Sequence, residues 1–508
     1  MSFGGLYISV SGIYANKKSL DTVSHNIANA NNKDYVRQNA IHAESRYSRI
    51  STASLRKGTG VDVQTIRQIR DEFLDIRLRS EKSLYGYYST KSDMLEEIEA
   101  IFNELTSSSL QNAIDDFWNA WNELYKEPDS LTIRGLLHES AVAFTTTVNH
   151  ISSQLNNLQY DLNKEMIARA EEVNSILEDI VKLNKQIWRT SGSGEKVSAN
   201  DLKDTLNAKI DRLSELIPIK YYEDNLDGAV ITLNGKSLVD GDYFNPLKIE
   251  IDEKNFGQVY WAGTGERVDL SGKGELGGYI DARDKVVTEY RDRLNILVAT
   301  LAEVINAIHR KGYTLEEPPT SGIDFFQLDL KDPSATIKLN PELADFTRIA
   351  VSLTGAEGDG EIARAILNLR NIDLYGKFDE YNKGINGIKY IHDSIANWIA
   401  NLSSVDDIDL DIINSLEGLG LSMNSDEFYK DLILDLSLDR QEAQHITESQ
   451  NVLISQLEER KQEISGVSLD EEMANMIKYQ YSYVANSRVI NAIDEMLNQI
   501  INGIGVTR

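Results

Sequence analysis

The residues best able to do chemistry in this chain are histidines and carboxylates, and the histidines form no reactive pattern. None is spaced as His-x-x-x-His or lies in His-Glu-x-x-His, the arrangements that place two imidazoles on one helix face for zinc. A zinc site would therefore have to be assembled from distant parts of the chain. The sequence contains seven histidines: His25, His42, His138, His150, His309, His392 and His445.

The acidic run Asp407-Ile-Asp409-Leu-Asp411 is the best lookalike of a metal site. A calcium loop of the EF-hand type beginning at Asp407 needs Gly at its sixth position and Glu at its twelfth. Ile412 and Gly418 occupy those positions. We therefore predict a solvated acidic edge here, with no metal ligand.

Nucleophiles and phosphate loops are also missing from the sequence. The chain has no cysteine, which excludes disulfides, thiolate metal sites and cysteine nucleophiles. It has no Gly-x-Ser-x-Gly elbow, and Lys57-Gly-Thr-Gly60 lacks the Gly-Lys-Ser/Thr ending of a phosphate loop. We predict no catalytic, cofactor-binding or metal residue and a protein that is not an enzyme. The alternative is a secreted enzyme with its site hidden in residues 219–440.

Charge limits the partners. The net charge of −28 opposes binding to nucleic acid or to an anionic membrane as the main activity. The charge is uneven, because residues 1–70 carry a net charge of +6 and residues 451–508 a net charge of −3. Opposite signs favour an encounter of the two terminal segments.

Targeting signals are not visible. No apolar run approaches the roughly 20 residues of a membrane-spanning helix. The N-terminus lacks a basic region followed by an apolar core, the pattern of a secretory signal. The sequence indicates a protein that stays in the cytoplasm or leaves by a route without signal cleavage.

The chain is organised around its last long amphipathic segment. Ser468 is the predicted N-cap, and the three carboxylates of residues 470–472 fill the first turn, where they favour the positive end of the helix dipole. Further on, apolar residues alternate spacings of three and four, as in a coiled-coil seam that one helix cannot bury alone. The predicted seam is Ile490, Ile493, Leu497, Ile500 and Ile504.

A matching seam lies at the other end of the chain, at Leu6, Val10, Ile13, Leu20 and Ile27. We predict two terminal helices that pack on each other, on neighbouring subunits, or both. The alternative is an ordinary pair of terminal core helices.

The rest of the sequence predicts a mainly α fold with a helical-bundle middle domain and a small antiparallel β unit. Short β-rich runs around Asn234-Gly235 and at Val259-Tyr-Trp261 carry the β unit. The predicted domains are a coiled-coil-like terminal domain (1–35 and 455–508), a helical body (36–218, 266–312 and 386–454), the β unit (219–265) and an irregular outer region (313–385).

Two terminal motifs together resemble those of bacterial flagellar rod, hook and hook-associated proteins. The first is Leu20-Asp-Thr-Val-Ser-His-Asn-Ile-Ala-Asn-Ala-Asn31 followed by Tyr35-Val-Arg-Gln38. The second is Leu469-Asp-Glu-Glu-Met-Ala-Asn-Met-Ile-Lys-Tyr-Gln480 followed by Tyr483-Val-Ala-Asn-Ser487. The motif residues are Asn26, Asn29, Tyr35, Arg37, Gln38, Leu469, Asp470, Glu471, Tyr479 and Asn486.

Internal stretches are similar to the branch of this family that joins hook to filament. They are Ser465-Gly-Val-Ser468, Gly274-Glu-Leu-Gly-Gly278, His309-Arg-Lys-Gly-Tyr313, Asn200-Asp-Leu-Lys-Asp-Thr-Leu206 and Phe117-Trp118 with Glu127-Pro128. One departure is plain: Asn32-Lys-Asp34 stands where the family often has Thr-Pro-Gly. We expect Asp34 to take the turn conformation that glycine favours, at some cost.

The resemblance implies a structural, self-assembling protein of motility, exported unfolded through the flagellar type III apparatus without signal cleavage. It implies an extracellular location at the hook–filament junction, with the terminal helices forming an inner tube. The implied partners are further copies in a ring of roughly eleven subunits, the hook protein, a second junction protein, and a cytoplasmic export chaperone at the C-terminal region. A hook or rod subunit of the same family is the alternative.

Overall fold

The computed structural model describes residues 4–45, 48–49, 56–102, 109–192, 199–225, 227–375 and 422–503. It confirms the predicted fold class, mainly α with small antiparallel sheets. The chain forms two compact units: the first comprises residues 1–87, 167–277 and 446–508, and the second residues 88–166 and 278–445. The four predicted domains stay a prediction.

Eleven α-helices lie in the described residues, followed in chain order. They are α1 (Gly4–Ala28), α2 (Glu72–Phe102), α3 (Leu110–Lys126), α4 (Leu131–Gly192), α5 (Asn200–Leu216), α6 (Gly274–Asp281), α7 (Val287–His309), α8 (Pro333–Thr336), α9 (Glu361–Asn368), α10 (Ser425–Ser465) and α11 (Leu469–Gly503). A π-helical segment, Ala282–Val286, connects α6 to α7, and 3-10 turns lie at Pro341–Ala344, Phe346–Arg348 and Leu369–Asn371. No helix of the described residues is long and apolar enough to cross a membrane.

Twelve short strands complete the described part. They are β1 (Gln38–Glu44), β2 (Ser48–Arg49), β3 (Arg56–Lys57), β4 (Val61–Gln68), β5 (Ile219–Glu223), β6 (Ala229–Leu233), β7 (Lys236–Asp240), β8 (Tyr243–Phe244), β9 (Leu247–Ile251), β10 (Gly257–Trp261), β11 (Phe326–Gln327) and β12 (Lys338–Leu339).

The sheets of the first unit are antiparallel. Strands β5 to β8 form a four-stranded sheet in sequence order, and β9 pairs with β10. Asn234 and Gly235 connect β6 to β7 with φ values of 51° and 81°, the left-handed pair that a tight hairpin turn requires.

Strand β1 pairs with β4, with a register shift between Ile41 and His42, and the pair packs on α1 through Ala15, Ala40 and Val63. The Ser11 hydroxyl accepts a hydrogen bond from the backbone N–H of Val61 at 3.1 Å. Gly60 lies against the same hydroxyl, because a Cβ there would fall 2.0 Å from Ser11 Oγ. The contact between α1 and β4 therefore depends on the missing side chain.

The second unit has a large apolar core. The inward face of α3 carries Phe117, Trp118, Trp121 and Leu124, all fully buried, and Phe117 stacks on Phe144 at 5.7 Å between ring centroids. His309 is buried in this unit, where it accepts from the Ala350 N–H at 2.9 Å and bonds the Ile323 carbonyl at 2.7 Å. Burial lowers the pKa of His309 to about 4, so this histidine is a neutral structural bridge.

Candidate functional site

Asn26, near the end of α1, is the hub at which the two terminal motifs meet. Its side chain is buried, and its amide donates to the Gln38 carbonyl and to Glu472 Oε2, both at 2.9 Å. Its oxygen accepts from the Tyr35 hydroxyl at 2.7 Å and from the Gln38 N–H at 3.0 Å. All four hydrogen bonds that an amide side chain can make are thus formed.

Arg37 carries the charged half of the contact. Its Nε donates to Glu472 Oε1 at 2.9 Å, and a second guanidinium nitrogen lies 2.8 Å from the same oxygen. The third nitrogen binds Glu471 at 2.6 Å. The Arg37 N–H also donates to the Ser465 carbonyl at 2.9 Å, where α10 ends. Glu472 is 1% exposed, so its charge depends on these partners.

We call Asn26, Tyr35, Arg37, Gln38 and Glu472 the terminal lock. The lock joins the end of α1 to the first turn of α11. The Ser468 hydroxyl accepts from the Glu471 N–H at 3.4 Å, as the predicted N-cap should, and this turn holds Glu472 in place.

Helix α5 supports the lock from the other side. Gln38 donates to Asp201 at 3.0 Å and accepts from the Asn200 amide at 2.9 Å. Gln68 donates to Asp204 at 2.7 Å, and the Val36 N–H reaches the same carboxyl at 3.4 Å. The turn after α1 is therefore held by a helix that begins far along the chain.

The buried groups of this site have shifted pKa values. Burial raises the pKa of Asp204 to about 7, because no cation pairs with it directly and Arg70 acts only at longer range. Burial, with the nearby carboxylates of Asp201, Asp204 and Glu472, also raises the pKa of the Tyr35 hydroxyl above its ordinary value. Tyr35 is therefore a hydrogen-bond donor at any physiological pH.

The turn of residues 32–34 forms differently from our expectation. The Asn32 side chain accepts from the Asp34 N–H at 3.2 Å, and the Asn32 carbonyl accepts from the Tyr35 N–H at 3.2 Å. Asp34 does not have a positive φ. The expected glycine-like conformation at Asp34 is thus wrong, since the Asn32 side chain closes the turn instead.

Helices α1 and α11 pack antiparallel beyond the lock. A Cβ on Gly12 would lie 2.9 Å from the Asn486 amide, and one on Gly5 would lie 3.5 Å from Ile493. The face that α1 buries consists of small and polar side chains, which let the two helices approach closely. The buried residues of α1 are Ser9, Gly12, Ala15, Ser19, Thr22, Val23 and Asn26.

The predicted seam residues lie at the margins of this contact. Those of α1 are half-buried, and so are three of α11, whereas Ile500 is 42% exposed. Ile504 lies outside the described residues. Packing of these residues between subunits stays a prediction. The half-buried set is Leu6, Val10, Ile13, Leu20, Ile27, Ile490, Ile493 and Leu497.

The other motif residues lie around the lock. Asn29 donates to the His25 carbonyl at 3.0 Å as α1 ends, and Asn486 donates to the Ser482 carbonyl at 2.9 Å. Tyr479 lines a polar cleft of about 300 Å³ beside Arg37 and Glu472. Leu469 and Asp470 are exposed at the start of α11.

One face of α11 carries apolar side chains that no described residue covers. They recur at spacings of four, four, four and three, and they lie away from the face that meets α1. We call them the outer stripe. It consists of Leu469 (50% exposed), Met473 (56%), Ile477 (52%), Tyr481 (73%) and Val484 (38%).

The geometry supports recognition and packing. Among the described residues no group of three His, Asp or Glu side chains is placed to hold a metal ion. His392 and the acidic run Asp407-Ile-Asp409-Leu-Asp411 lie outside the described residues. The interactions of the terminal lock are hydrogen bonds and ion pairs between protein groups, which hold elements together.

Sequence reasoning missed several members of the site. Glu472 was read only as one of three carboxylates at a helix start, although its burial sets it apart from Asp470 and Glu471. Asn200, Asp201 and Asp204 fall in a stretch that resembles the family. That resemblance was the available signal, but it did not say that these residues meet Gln38 and Gln68.

Comparisons with known proteins agree with this site. Residues 95–326 match the family model "Flagellar hook-associated protein FlgK helical domain", and residues 460–503 match "Flagellar basal body rod FlgEFG protein C-terminal". The second match covers most of α11 and its junction with α10.

The chain is similar to flagellar hook-associated protein 1 of Bacillus subtilis (strain 168), with 28% identity over 547 residues and 99% of both chains covered. The protein of that name from Escherichia coli (strain K12) is 24% identical over 548 residues, with 97% of this chain and 98% of the relative covered. A solved structure, the flagellar hook junction protein FlgK from Burkholderia pseudomallei, gives a TM-score of 0.45 at 17% identity. That alignment covers 50% of this chain and 47% of the solved structure, about half its length.

Proposed function

We propose, from the chain's membership of the flagellar hook-associated protein 1 family, that it is a structural adaptor between the hook and the filament. The protein is part of the bacterial flagellum and is hook-associated. The finer proposal is that copies assemble as a ring of roughly eleven subunits, joined by packing of their terminal helices.

The outer stripe is the observation that carries this proposal. Helix α11 already packs against α1 within one chain, yet five apolar side chains of its outward face have no described partner. An apolar stripe of that length on a helix is typical of a surface that another protein covers. In the proposed ring, neighbouring copies supply that cover.

The terminal lock supports the same proposal. It fixes the start of α11 against the end of α1, so each copy presents both terminal helices as one preformed element. A preformed element loses little conformational entropy on assembly. Assembly through that element therefore costs less than assembly of two independent segments.

The remaining proposals concern partners and route. We propose contacts with the hook protein and a second junction protein, export without signal cleavage through the flagellar type III apparatus, and a cytoplasmic chaperone at the C-terminal region. Such a chaperone would shield the outer stripe before assembly. We also propose that the protein is not an enzyme, since its relatives are named for the hook and not for a reaction.

A hook or rod subunit is the second candidate, because the match at residues 460–503 is to a model of basal body rod proteins. The match of residues 95–326 to a hook-associated helical domain favours the junction. The two candidates differ in position along the organelle.

Immunogold labelling of isolated hook–filament preparations tests the proposal. We expect antibody raised against residues 219–265 to label a narrow band where hook meets filament. Label along the whole hook would favour the hook subunit. Absence of label from the organelle, with the protein retained in the cytoplasm, would contradict the flagellar role itself.

A further inference from the structure

The start of α2 carries a second exposed apolar feature. Phe73 is 74% exposed and Ile76 is 55% exposed, and they stand on one side of the helix, three residues apart. No described residue covers them. Their neighbours Leu74 and Leu78 face inward and pack against Ile454 and Leu457 of α10. We call Phe73 and Ile76 the α2 knob.

The α2 knob is rigidly mounted. Asp71 accepts hydrogen bonds from the Phe73 and Leu74 N–H groups at 3.1 and 3.2 Å, which caps the helix at the knob itself. Asp75, one turn on, is gripped by Arg70 at 2.8 Å and lies 3.4 Å from Lys461 of α10. Two large apolar side chains fixed on such a base are pre-organised for docking.

We propose that the α2 knob docks onto the outer stripe of a second copy of this chain. The inference rests on the proposed function, because it names a contact by which copies in the axial assembly would join. It lies outside the terminal seams that the sequence indicates. Knob and stripe are different surfaces of one chain, so their contact is head-to-tail and repeats from copy to copy, as a ring requires.

Charge complementarity favours this occupant. The α2 knob is flanked by exposed Glu72 and Arg77, and the beginning of the outer stripe by exposed Asp470 and Lys478. None of the four has an ion-pair partner among the described residues. An antiparallel crossing brings Arg77 to Asp470 and Glu72 to Lys478.

The spacings of these charges are compatible. At 1.5 Å of rise per residue, Glu72 and Arg77 are about 7.5 Å apart along α2, and Asp470 and Lys478 about 12 Å apart along α11. The long side chains of arginine and lysine can span the difference. A parallel crossing would instead place like charges together.

Cross-linking tests the contact directly, because the natural chain has no cysteine and introduced thiols report alone. Differently tagged Phe73→Cys and Met473→Cys chains are expressed in the same cells. Isolated hook–filament preparations are then treated with a short bis-maleimide. We expect a cross-linked dimer that carries both tags, and none when either variant is expressed alone.

A matched control uses Tyr222→Cys, a strand residue that is 56% exposed, comparable with Met473. It should give no dimer with Met473→Cys. A single chain that carries both Phe73→Cys and Met473→Cys should not cross-link within itself as a monomer. Cross-linking inside that monomer would overturn the proposal, because knob and stripe would then be neighbours in one copy.

The other outcomes separate the two proposals. Cross-links between two Phe73→Cys chains alone would mean a two-fold contact and would overturn the head-to-tail one. Incorporation of both variants without a mixed dimer would overturn the docking and leave the junction role standing. Absence of even the wild-type protein from the junction would overturn both.

A charge-reversal pair gives an independent readout. Arg77→Glu should lower incorporation by about tenfold, the change expected from losing and reversing one interfacial charge pair. Adding Asp470→Arg to the same chain should restore it, since every copy then carries both reversed charges. Failure of the double variant to recover, with both single variants defective, would contradict the pairing.

Discussion

Glu472 is a buried carboxylate whose partners all come from the N-terminal motif. Replacing it with Ala leaves the guanidinium of Arg37 and the amide of Asn26 without their acceptor in a water-poor site. We expect Glu472→Ala to lower the free energy of unfolding of the first unit by about 3–5 kcal/mol. Chemical denaturation measures this change.

The neighbouring Glu471 is a matched control, because it binds the same arginine while its side chain is 61% exposed. Exposed ion pairs contribute at most about 1 kcal/mol, so Glu471→Ala should change the unfolding free energy little. Equal effects of the two substitutions would show that the lock does not depend on the buried carboxylate.

Asp204 makes the site sensitive to pH. Its pKa is raised to about 7 in the folded protein, so the folded state binds this proton more tightly than the unfolded state. The stability contribution of Asp204 is therefore greatest in acid and declines as pH rises from about 4 to about 7, by at most about 1.4 kcal/mol per pH unit.

The substitution Asp204→Asn mimics the protonated acid and should remove this decline. The difference in unfolding free energy between the variant and the wild type should then grow in favour of the variant between pH 5 and pH 7. Asp201→Asn on the same helix, where the Asp side chain is 67% exposed, serves as the control. A pH profile unchanged by Asp204→Asn would contradict the shifted pKa.

At the scale of elements, the pairing of α1 and α11 depends on close approach. Ile493 is half-buried against Gly5, so Ile493→Asp would place a charge in the contact, at a cost of about 2 kcal/mol or more. We expect this variant, and Leu497→Asp, to fail to incorporate into the organelle while the second unit stays folded. Incorporation is measured by immunoblotting of isolated hook–filament preparations.

Gln499→Asp adds the same charge at an exposed position of α11 and should incorporate normally. Circular dichroism of each purified variant checks that the helices persist. Normal incorporation of Ile493→Asp and Leu497→Asp would contradict the assignment of these residues to a packing seam.

Periodicity found the terminal helices but not the face that α1 uses. The three/four pattern selects large apolar residues such as Leu6 and Ile13, whereas the buried face is built from Ser9, Gly12 and Ala15. Small residues carry almost no hydrophobic signal, although they decide how near two helices can come. A pattern of hydrophobicity therefore misses such a face.

The lock could be predicted in part. The motifs pointed to Asn26, Tyr35, Arg37 and Gln38 as a group, and the structure brings them together. The support from Asp201 could not be read from the sequence, because Gln38 and Asp201 are 163 positions apart. Contacts at that separation are set by the path of the whole chain and not by local spacing.

At the scale of the whole molecule, the chain crosses repeatedly between its two units. The first unit gathers three separate stretches and the second gathers two. A composition-based division into consecutive domains cannot anticipate this. The predicted β unit, by contrast, falls within a single stretch of the first unit, where local turn signals such as Asn234-Gly235 are sufficient.

The terminal lock also governs the order in which the molecule can be completed. Asn26 and Glu472 are 446 positions apart, so a ribosome that adds about 5–20 residues per second delivers the second partner roughly 20–90 s after the first. Until then α1 has no native partner, and the hub amide has nothing to bind at its far side. Closure of the termini is thus the final step of maturation, and it acts as a built-in delay that keeps an unfinished chain out of the assembly.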